Sequence, residues 1–403
     1  MIKLEITPPA SQRHAFTHLG FRPFFLAAGL YALVGMLLWT ALYSFNWQGL
    51  HSAYPPITWH AHEMVFGYAA AVAAGFLLTA IKNWTGQQTL SGTPLLLLAG
   101  LWLTARVLPF TGLPLVWTAV LDVLWLTGLL IAAALPIIRA KQWNQAAIVG
   151  KVGLLLLANA LFYLGLLGSW AQGMQLGLYA GFYVIVALIL TMGRRVIPFF
   201  IERGVGCPFT AQNHSWIDRT SLILFLLFML ADLLAMASGH RGAAWAAALL
   251  ALVQVPLHIL RLWGWYHPNI WQKPLLWVLY LAYGWLIAGF ALKFLSVAAG
   301  ISPFLAVHAF AYGGIATLTV GMMARVTLGH TGRNVAEPPS LVSLIFGLLL
   351  IGTLVRVVAV WLLPQFYALW ILMAQFIWIV AFALFVWLYA PMLIKPRVDG
   401  RYG

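Results

Sequence analysis

Twelve apolar runs of about 20 residues divide almost the whole chain, and this pattern restricts the fold more than any other feature. A helix of about 20 residues spans the hydrocarbon core of a bilayer, and it satisfies its own backbone hydrogen bonds there. The sequence therefore predicts an all-α, polytopic membrane protein with 12 transmembrane helices. The predicted spans are 21–43, 58–81, 94–108, 114–138, 146–167, 176–198, 217–238, 243–264, 275–296, 303–328, 341–363 and 366–390.

Composition supports this fold class. Of the 403 residues, 63% are hydrophobic and only 7% are charged, which excludes a soluble globular domain. The first 20 residues have no apolar core, so we expect no cleavable signal peptide. The chain is accordingly predicted to consist of a cytoplasmic segment 1–20, a single transmembrane domain 21–390 and a cytoplasmic tail 391–403.

The basic residues are distributed unequally between the two sides of the predicted membrane. All but four of the 22 Lys and Arg residues fall on the side of both termini; the exceptions are Arg106, Arg241 and Lys293 on the opposite side and Arg356 within a span. By the positive-inside rule, both termini are predicted to be cytoplasmic. Membrane insertion thus explains the net charge of +14, and nucleic-acid binding is not favoured.

A single cysteine, Cys207, excludes an internal disulfide and any zinc or iron–sulfur site built from several cysteines. It falls in a predicted cytoplasmic loop beside Pro208, and we interpret it as an incidental thiol.

Ionisable residues within the spans concentrate near the outer face. The second span begins with Trp-His-Ala-His-Glu-Met at 59–64, and an ionisable group inside a bilayer is by default a functional candidate. The helix directions place His60, His62, Glu63, Asp122, Asp232, His308 and Arg356 at one depth. One interpretation is a buried ion pair of Arg356 with Asp122 or Asp232. Because three histidines share this depth, we favour a polar or metal-bearing cavity that opens outward.

Spans 2 and 10 share a spacing that indicates an internal repeat. Glycines recur by chance in transmembrane helices, where small residues allow close packing, but five identities in register favour a structural repeat. A similarity between 192–196 and 322–326 indicates a weaker third copy in span 6, and hence three pseudo-repeats of four helices. The matched residues are His62, Gly67, Gly75, Thr85 and Gly86 with His308, Gly313, Gly321, Thr331 and Gly332.

Histidine is a common ligand of haem iron and copper. Helical neighbours point about 100° apart, so either a turn before His62 brings His60 round to the same site, or the two residues serve different sites. The repeat favours the second alternative, in which His62 and His308 are axial ligands of one haem. His60, which would share a helix face with Glu63, is then free for copper or a second haem. Arg356 can pair with haem propionates.

A second set of polar residues lies at the inner end of span 10. His330 is about 33 Å of helix from His308, so the two cannot hold one metal. We consider Arg325 and His330 candidates for an inner cofactor site, which His14, His18, His214, His258 or His267 could complete. The alternative is that the basic residues here anchor helix ends and bind lipid phosphate.

Several long motifs resemble the NnrS family of bacterial inner-membrane proteins, from about residue 13 to the last helix. The resemblance implies twelve transmembrane helices, bound haem and copper, and a role in the response to nitric oxide. Many relatives have a histidine near the position of Tyr280, so an inner site that used it would be altered or absent here. The motifs are Phe-Arg-Pro-Phe-Phe at 21–25, Trp-His-Ala-His-Glu-Met at 59–64, Gly-Phe-Leu-Leu-Thr-Ala at 75–80, Asn-Trp-Thr-Gly at 83–86, Gly-Arg-Arg-Val-Ile-Pro-Phe-Phe at 193–200, and Met-Met-Ala-Arg-Val-Thr-Leu-Gly-His-Thr-Gly-Arg at 322–333.

The leading hypothesis is a haem- and copper-containing membrane protein that binds or handles nitric oxide, with or without turnover. A rival is a quinol-linked haem oxidoreductase, since histidines on helices 2 and 10 resemble the core of haem–copper oxidases and nitric oxide reductases. Spans 6 and 7 lack the histidines that would hold copper in such a core, so the analogy covers architecture alone. A second rival is a cation transporter that uses Glu63, Asp122 and Asp232.

Overall fold

The computed structural model describes residues 15–51 and 53–403 and contains, within them, 12 helices long and apolar enough to cross a membrane. The prediction of an all-helical, multi-pass membrane protein is thereby confirmed. The helices are α1 (Phe21–Ser44), α2 (Pro56–Thr85), α3 (Thr93–Phe110), α4 (Leu115–Arg139), α5 (Trp143–Leu166), α6 (Gly173–Gly204), α7 (Ser215–Ser238), α8 (Arg241–Gly264), α9 (Pro274–Ala298), α10 (Pro303–His330), α11 (Leu341–Leu362) and α12 (Pro364–Ile394).

Proline and glycine mark many of the helix ends. Proline lies in the first turn of α2, α9 and α10, where its missing N–H would have no helical partner. Gly86 ends α2 and Gly239 ends α7 with φ values of 68° and 66°. This left-handed conformation closes a helix and suits glycine best.

Three helices form the centre of the bundle. In the most apolar 18-residue stretch of each helix, the share of residues that are buried is 83% in α2, 78% in α10 and 72% in α6, compared with 22% in α7. These are the three helices that the sequence predicts to be copies of one another.

The helices α2 and α10 contain the same irregularity at matched positions. Each changes from α-helix to π-helix directly after its predicted site histidine, at Glu63–Ala69 after His62 and at Ala309–Ala316 after His308. Such segments contain an extra residue per turn and are frequent at functional sites. The agreement supports a repeat that relates α2 to α10. Helix α6 is α-helical throughout Gly173–Gly204, so the third copy lacks this feature.

The matched glycines of α2 and α10 also contact equivalent neighbours. A Cβ atom on Gly75 would lie 2.7 Å from the Phe25 ring of α1, and one on Gly321 would lie 2.7 Å from Val278 of α9. In both cases the glycine allows close approach of the helix that precedes it in the chain. The pairs α1–α2 and α9–α10 therefore pack through corresponding positions.

The start of α1 and the end of α12 meet on one side of the molecule, which we call the terminal side. The opposite side is called the far side. Arg22, at the start of α1, is fully buried. It donates hydrogen bonds to the carbonyl oxygens of Leu393 at 2.8 Å and Lys395 at 2.7 Å. These carbonyls belong to the end of α12, where a helix leaves acceptors unsatisfied. The arginine of the Phe-Arg-Pro-Phe-Phe motif thus joins the first helix to the last.

A close backbone contact between α5 and α6 supplies a test of the packing. A Cβ on Gly177 of α6 would lie 2.4 Å from the backbone nitrogen of Phe162 and 2.5 Å from the carbonyl oxygen of Ala158 in α5. We expect Gly177→Ala to lower the free energy of unfolding by about 1–3 kcal/mol, because backbone must move. Thermal unfolding in detergent measures this effect.

Gly100→Ala is the matched control, since a Cβ there meets nothing within 4 Å and alanine favours helix. Equal melting temperatures for the Gly177 variant and the wild-type protein would contradict the packing of α5 against α6.

Candidate functional site: two polar clusters on the far side

A network of buried charges joins α2, α3 and α4 on the far side. Arg106 donates through Nη1 to Glu63 Oε2 at 2.9 Å and through Nη2 to Asp122 Oδ1. None of the three residues is more than 2% exposed. Together with His62, they are called the ion cluster below.

Hydroxyl, indole and amide groups donate further hydrogen bonds to the carboxylates of Glu63 and Asp122. Buried polar groups require hydrogen bonds, and unpaired buried charges are strongly destabilising. The additional donors come from α1, α4 and α5: Tyr31 to Glu63, and Trp125 at 2.8 Å, Asn159 at 3.0 Å and Tyr163 at 3.0 Å to Asp122.

His62 has no exposed surface, and both of its ring nitrogens face oxygen acceptors. Nδ1 is 3.0 Å from Glu63 Oε1, and Nε2 is 2.9 Å from Asn159 Oδ1 and 3.4 Å from Asp122 Oδ2. Both ring nitrogens of His62 are therefore engaged by side-chain oxygens of the cluster and of α5. In this arrangement neither nitrogen is free for a metal.

A second group, the histidine pair, consists of His60 and His308 with Arg356 beside them. The three side chains are close enough for electrostatic interaction of Arg356 with each ring and of the two rings with each other. The His60 ring stacks on Trp39, with centroids 4.3 Å apart and planes inclined by 12°. Its Nδ1 atom is buried without a hydrogen-bond partner.

The other ring of the pair has a defined tautomer. Nδ1 of His308 lies 2.8 Å from the carbonyl oxygen of Phe304, so Nδ1 carries the proton and donates. The lone pair of Nε2 is then available, which is how backbone carbonyls orient histidine ligands of metals.

Arg356 lies in a π-helical segment of α11, Val355–Ala359, and is half-buried. It forms no ion pair with a carboxylate in the described part of the chain. Of the three partners considered for Arg356, the two aspartates have other partners: Asp122 binds Arg106, and Asp232 binds Lys293 at 2.6 Å. The interpretation of a buried ion pair with an aspartate does not hold, and the alternative of a haem propionate stays a prediction.

The structure brings His308 together with His60, whereas the sequence predicted His62 as its partner. Helix α2 is already helical from Pro56, so His60 and His62 point about 200° apart. His62 faces α4 and α5, while His60 faces Trp39 of α1. Of the two alternatives left open, the one in which the histidines serve different sites agrees with the structure. Glu63, a predicted metal ligand, belongs to the ion cluster.

The sequence analysis counted Arg106 and Lys293 only as basic residues of the side opposite the termini, but both form ion pairs inside the bundle. Arg106 lies in α3, the shortest of the predicted spans. Each acid within a span requires a cation at its depth. Applied to Glu63, Asp122 and Asp232, this rule would have selected both basic residues.

The candidate residues of an inner site lie in separate surroundings. Arg325 lies over the Phe200 ring at 4.0 Å from the guanidinium carbon to the centroid, and His330 packs against Phe21. Within the described ranges, no group of three His, Cys, Asp or Glu side chains is arranged to hold a metal ion. Of the histidines that could complete such a site, His14 is outside those ranges and His214 is exposed. The other three have contacts of their own: His18 stacks on Tyr402, the His258 ring is hydrogen-bonded to the Tyr283 hydroxyl at 2.7 Å, and the His267 ring lies 3.5 Å from the Cys207 sulfur.

These features define a polytopic helical membrane protein with a buried ion cluster and two histidines that offer ring nitrogens on its far side. The family model described as NnrS protein matches residues 15–397, and the chain belongs to the NnrS family. No curated protein matches the chain.

Proposed function

We propose that the chain is a haem-binding membrane protein of the nitric oxide response, and that His60 and His308 are the protein ligands of the haem iron. Family membership is consistent with this role. The observation that carries the proposal is the position of Arg356: it lies beside two imidazoles and pairs with no carboxylate of residues 15–51 and 53–403. Haem iron accepts histidine ligands, and its propionates carry negative charge.

The donor set fits haem better than a bare metal ion. Structural zinc takes four protein ligands, and blue-copper sites use two histidines with a cysteine. Haem iron receives four nitrogens from the porphyrin and needs only one or two axial side chains. Two imidazoles without a third His, Cys, Asp or Glu donor among the described residues are therefore appropriate for haem. For copper, the second metal that the family implies, the same residues provide no separate site, and we assign none.

A comparison with Arg106 explains why we expect Arg356 to bind an anionic ligand. Arg106 of α3 follows α2 and binds Glu63 and Asp122. Arg356 of α11 follows α10 in the same order, yet no acidic side chain in the described ranges pairs with it. An uncompensated guanidinium within a membrane is costly, and a propionate would supply a charge-assisted hydrogen bond.

The chain's own residues prepare the site. The hydrogen bond to Phe304 fixes the tautomer of His308, and the stack on Trp39 fixes the ring plane of His60. The ion cluster lies next to His60 along α2 and anchors this helix to α3 and α4. When bound, haem supplies an iron centre to which nitric oxide can bind.

We further propose that the protein resides in the bacterial inner membrane with both termini in the cytoplasm. The excess of Lys and Arg on the terminal side supports this orientation. The histidine pair then faces the periplasm.

The rival functions receive different support. A cation transporter requires carboxylates that are free to bind its cargo, but Glu63 and Asp122 bind Arg106, and Asp232 binds Lys293. This pairing argues against transport through these residues. A quinol-linked oxidoreductase would use the same haem, so turnover is the property that separates it from a binding protein.

The experiment is an absorbance titration of the purified protein with haemin, followed by nitric oxide. We expect one haem per chain with a Soret band that shifts when nitric oxide is added. Failure to retain haem would overturn the proposal. Consumption of nitric oxide on addition of a quinol would establish the oxidoreductase, and its absence would establish a binding protein.

A further inference from the structure

A partly open cavity lies between the three central helices, away from the histidine pair; its empty space, including the part that is open to the surroundings, is about 720 Å³. Its walls come from the middle and terminal-side parts of α2, α6 and α10, with Phe25 of α1. The opposed surfaces include Ala73 of α2, Met192 of α6 and Met322 of α10. The two methionines occupy matching places in the repeat, so the cavity is a feature of how the three copies meet.

The lining is almost entirely hydrocarbon. Thr319 provides its only side-chain hydroxyl, and this group already lies 2.7 Å from the Ile315 carbonyl oxygen and 2.7 Å from the Tyr68 hydroxyl. No side-chain donor of the lining is therefore free for a polar head group. A hydrocarbon chain can fill such a space without loss of hydrogen bonds.

A cation closes the terminal-side end of this cavity. Arg325 is three residues beyond Met322 on α10, and Phe200 is three residues beyond Ile197 on α6. The guanidinium carbon of Arg325 lies 4.0 Å from the Phe200 ring centroid. The pair thus bridges α6 and α10 about one helical turn below the lining residues.

Arg325 differs from Arg194, its counterpart on α6, in its ionic contacts. Arg194 binds Asp218 at 2.8 Å, whereas the neighbouring Arg195 donates to the neutral amide of Gln145 at 3.0 Å. Among the residues that the structure describes, no carboxylate forms an ion pair with Arg325, which is half-buried. Its long side chain can reach the head-group region from five residues inside the end of α10.

We propose that this cavity holds one acyl chain of an anionic phospholipid whose phosphate binds Arg325. The hydrocarbon walls match the chain, and the unpaired guanidinium matches the phosphate. This lipid site is distinct from the far-side haem site, and it would place a bound lipid between the three central helices. Such a lipid would link their packing to the composition of the surrounding membrane.

The proposal is tested by native mass spectrometry of delipidated protein titrated with dipalmitoyl phosphatidylglycerol. We expect Arg325→Gln to weaken the tightest lipid-binding step by about tenfold or more, since a charge-assisted hydrogen bond is lost. Ala73→Phe should weaken it similarly by filling the cavity. Arg325→Lys should retain most of the affinity because it keeps the charge.

Arg139→Gln is the matched control, because Arg139 is an exposed terminal-side arginine outside the cavity; its affinity should equal that of the wild-type protein. Melting temperatures identify any variant that fails to fold. Equal effects of the Arg325 and Arg139 substitutions would overturn the proposal, as would full affinity in the Ala73 variant. Inorganic phosphate in millimolar excess should not displace the lipid. Displacement would show that the site binds only an anion, and it would overturn the role of the cavity.

Discussion

Replacing Arg106 with methionine is expected to lower the free energy of unfolding by about 3–5 kcal/mol, the usual result of breaking a buried ion pair from one side. Methionine keeps much of the side-chain volume but leaves Glu63 and Asp122 without their shared cation. Both carboxylates are fully buried, so water cannot replace the guanidinium. Thermal or chemical unfolding in detergent measures the change.

A combined variant separates charge from packing. Adding Glu63→Gln and Asp122→Asn to the Arg106→Met protein removes the buried negative charge, and it should restore a substantial part of the lost stability. Arg241→Met provides the control, since Arg241 is exposed on the far side and should change stability by less than about 0.5 kcal/mol. Equal stability of the Arg106 and Arg241 variants would show that the ion cluster does not form.

Substitution of His308 with alanine should weaken haem binding by more than about 100-fold. This estimate exceeds the 10–100-fold effect typical of losing only a residue that orients a metal ligand. His60→Ala should have the same effect, because each imidazole would supply one protein ligand to the iron. The measurement is a haemin titration followed at the Soret band.

Two further variants sharpen this result. His214→Ala should bind haemin normally, since His214 is exposed on the terminal side. His62→Ala should reduce the melting temperature of the haem-free protein, whereas His308→Ala should leave it nearly unchanged. Wild-type Soret spectra in both the His60 and His308 variants would remove the histidine pair as the haem site.

Much of the fold could be predicted because the bilayer imposes it. A fixed hydrocarbon thickness and the need for internal backbone hydrogen bonds leave little choice beyond helices of about 20 residues. All twelve spans were predicted within six residues of their ends. Alternating helix direction also gives each residue an expected depth.

The site could be predicted only in part, because a sequence gives depth but not direction around a helix. His60, His62 and His308 were predicted to lie at one level, yet their partners depended on which helices are neighbours. Arg106 shows the same limit: it lies at the expected depth, but only the contact of α3 with α2 and α4 reveals that it is buried. Haem ligation itself stays a prediction.

In α2 and α10, the π-helical segment makes the orientation of side chains in the far-side part of the helix independent of their orientation in the rest of the helix. One extra residue in a helix rotates the side chains that follow it by about 100° about the helix axis, relative to the side chains that precede it. The Ala309–Ala316 segment therefore sets the angle of His308 towards α11 independently of the angle at which Gly321 meets α9. Far-side chemistry can change by gain or loss of one residue here while the terminal-side framework keeps its register.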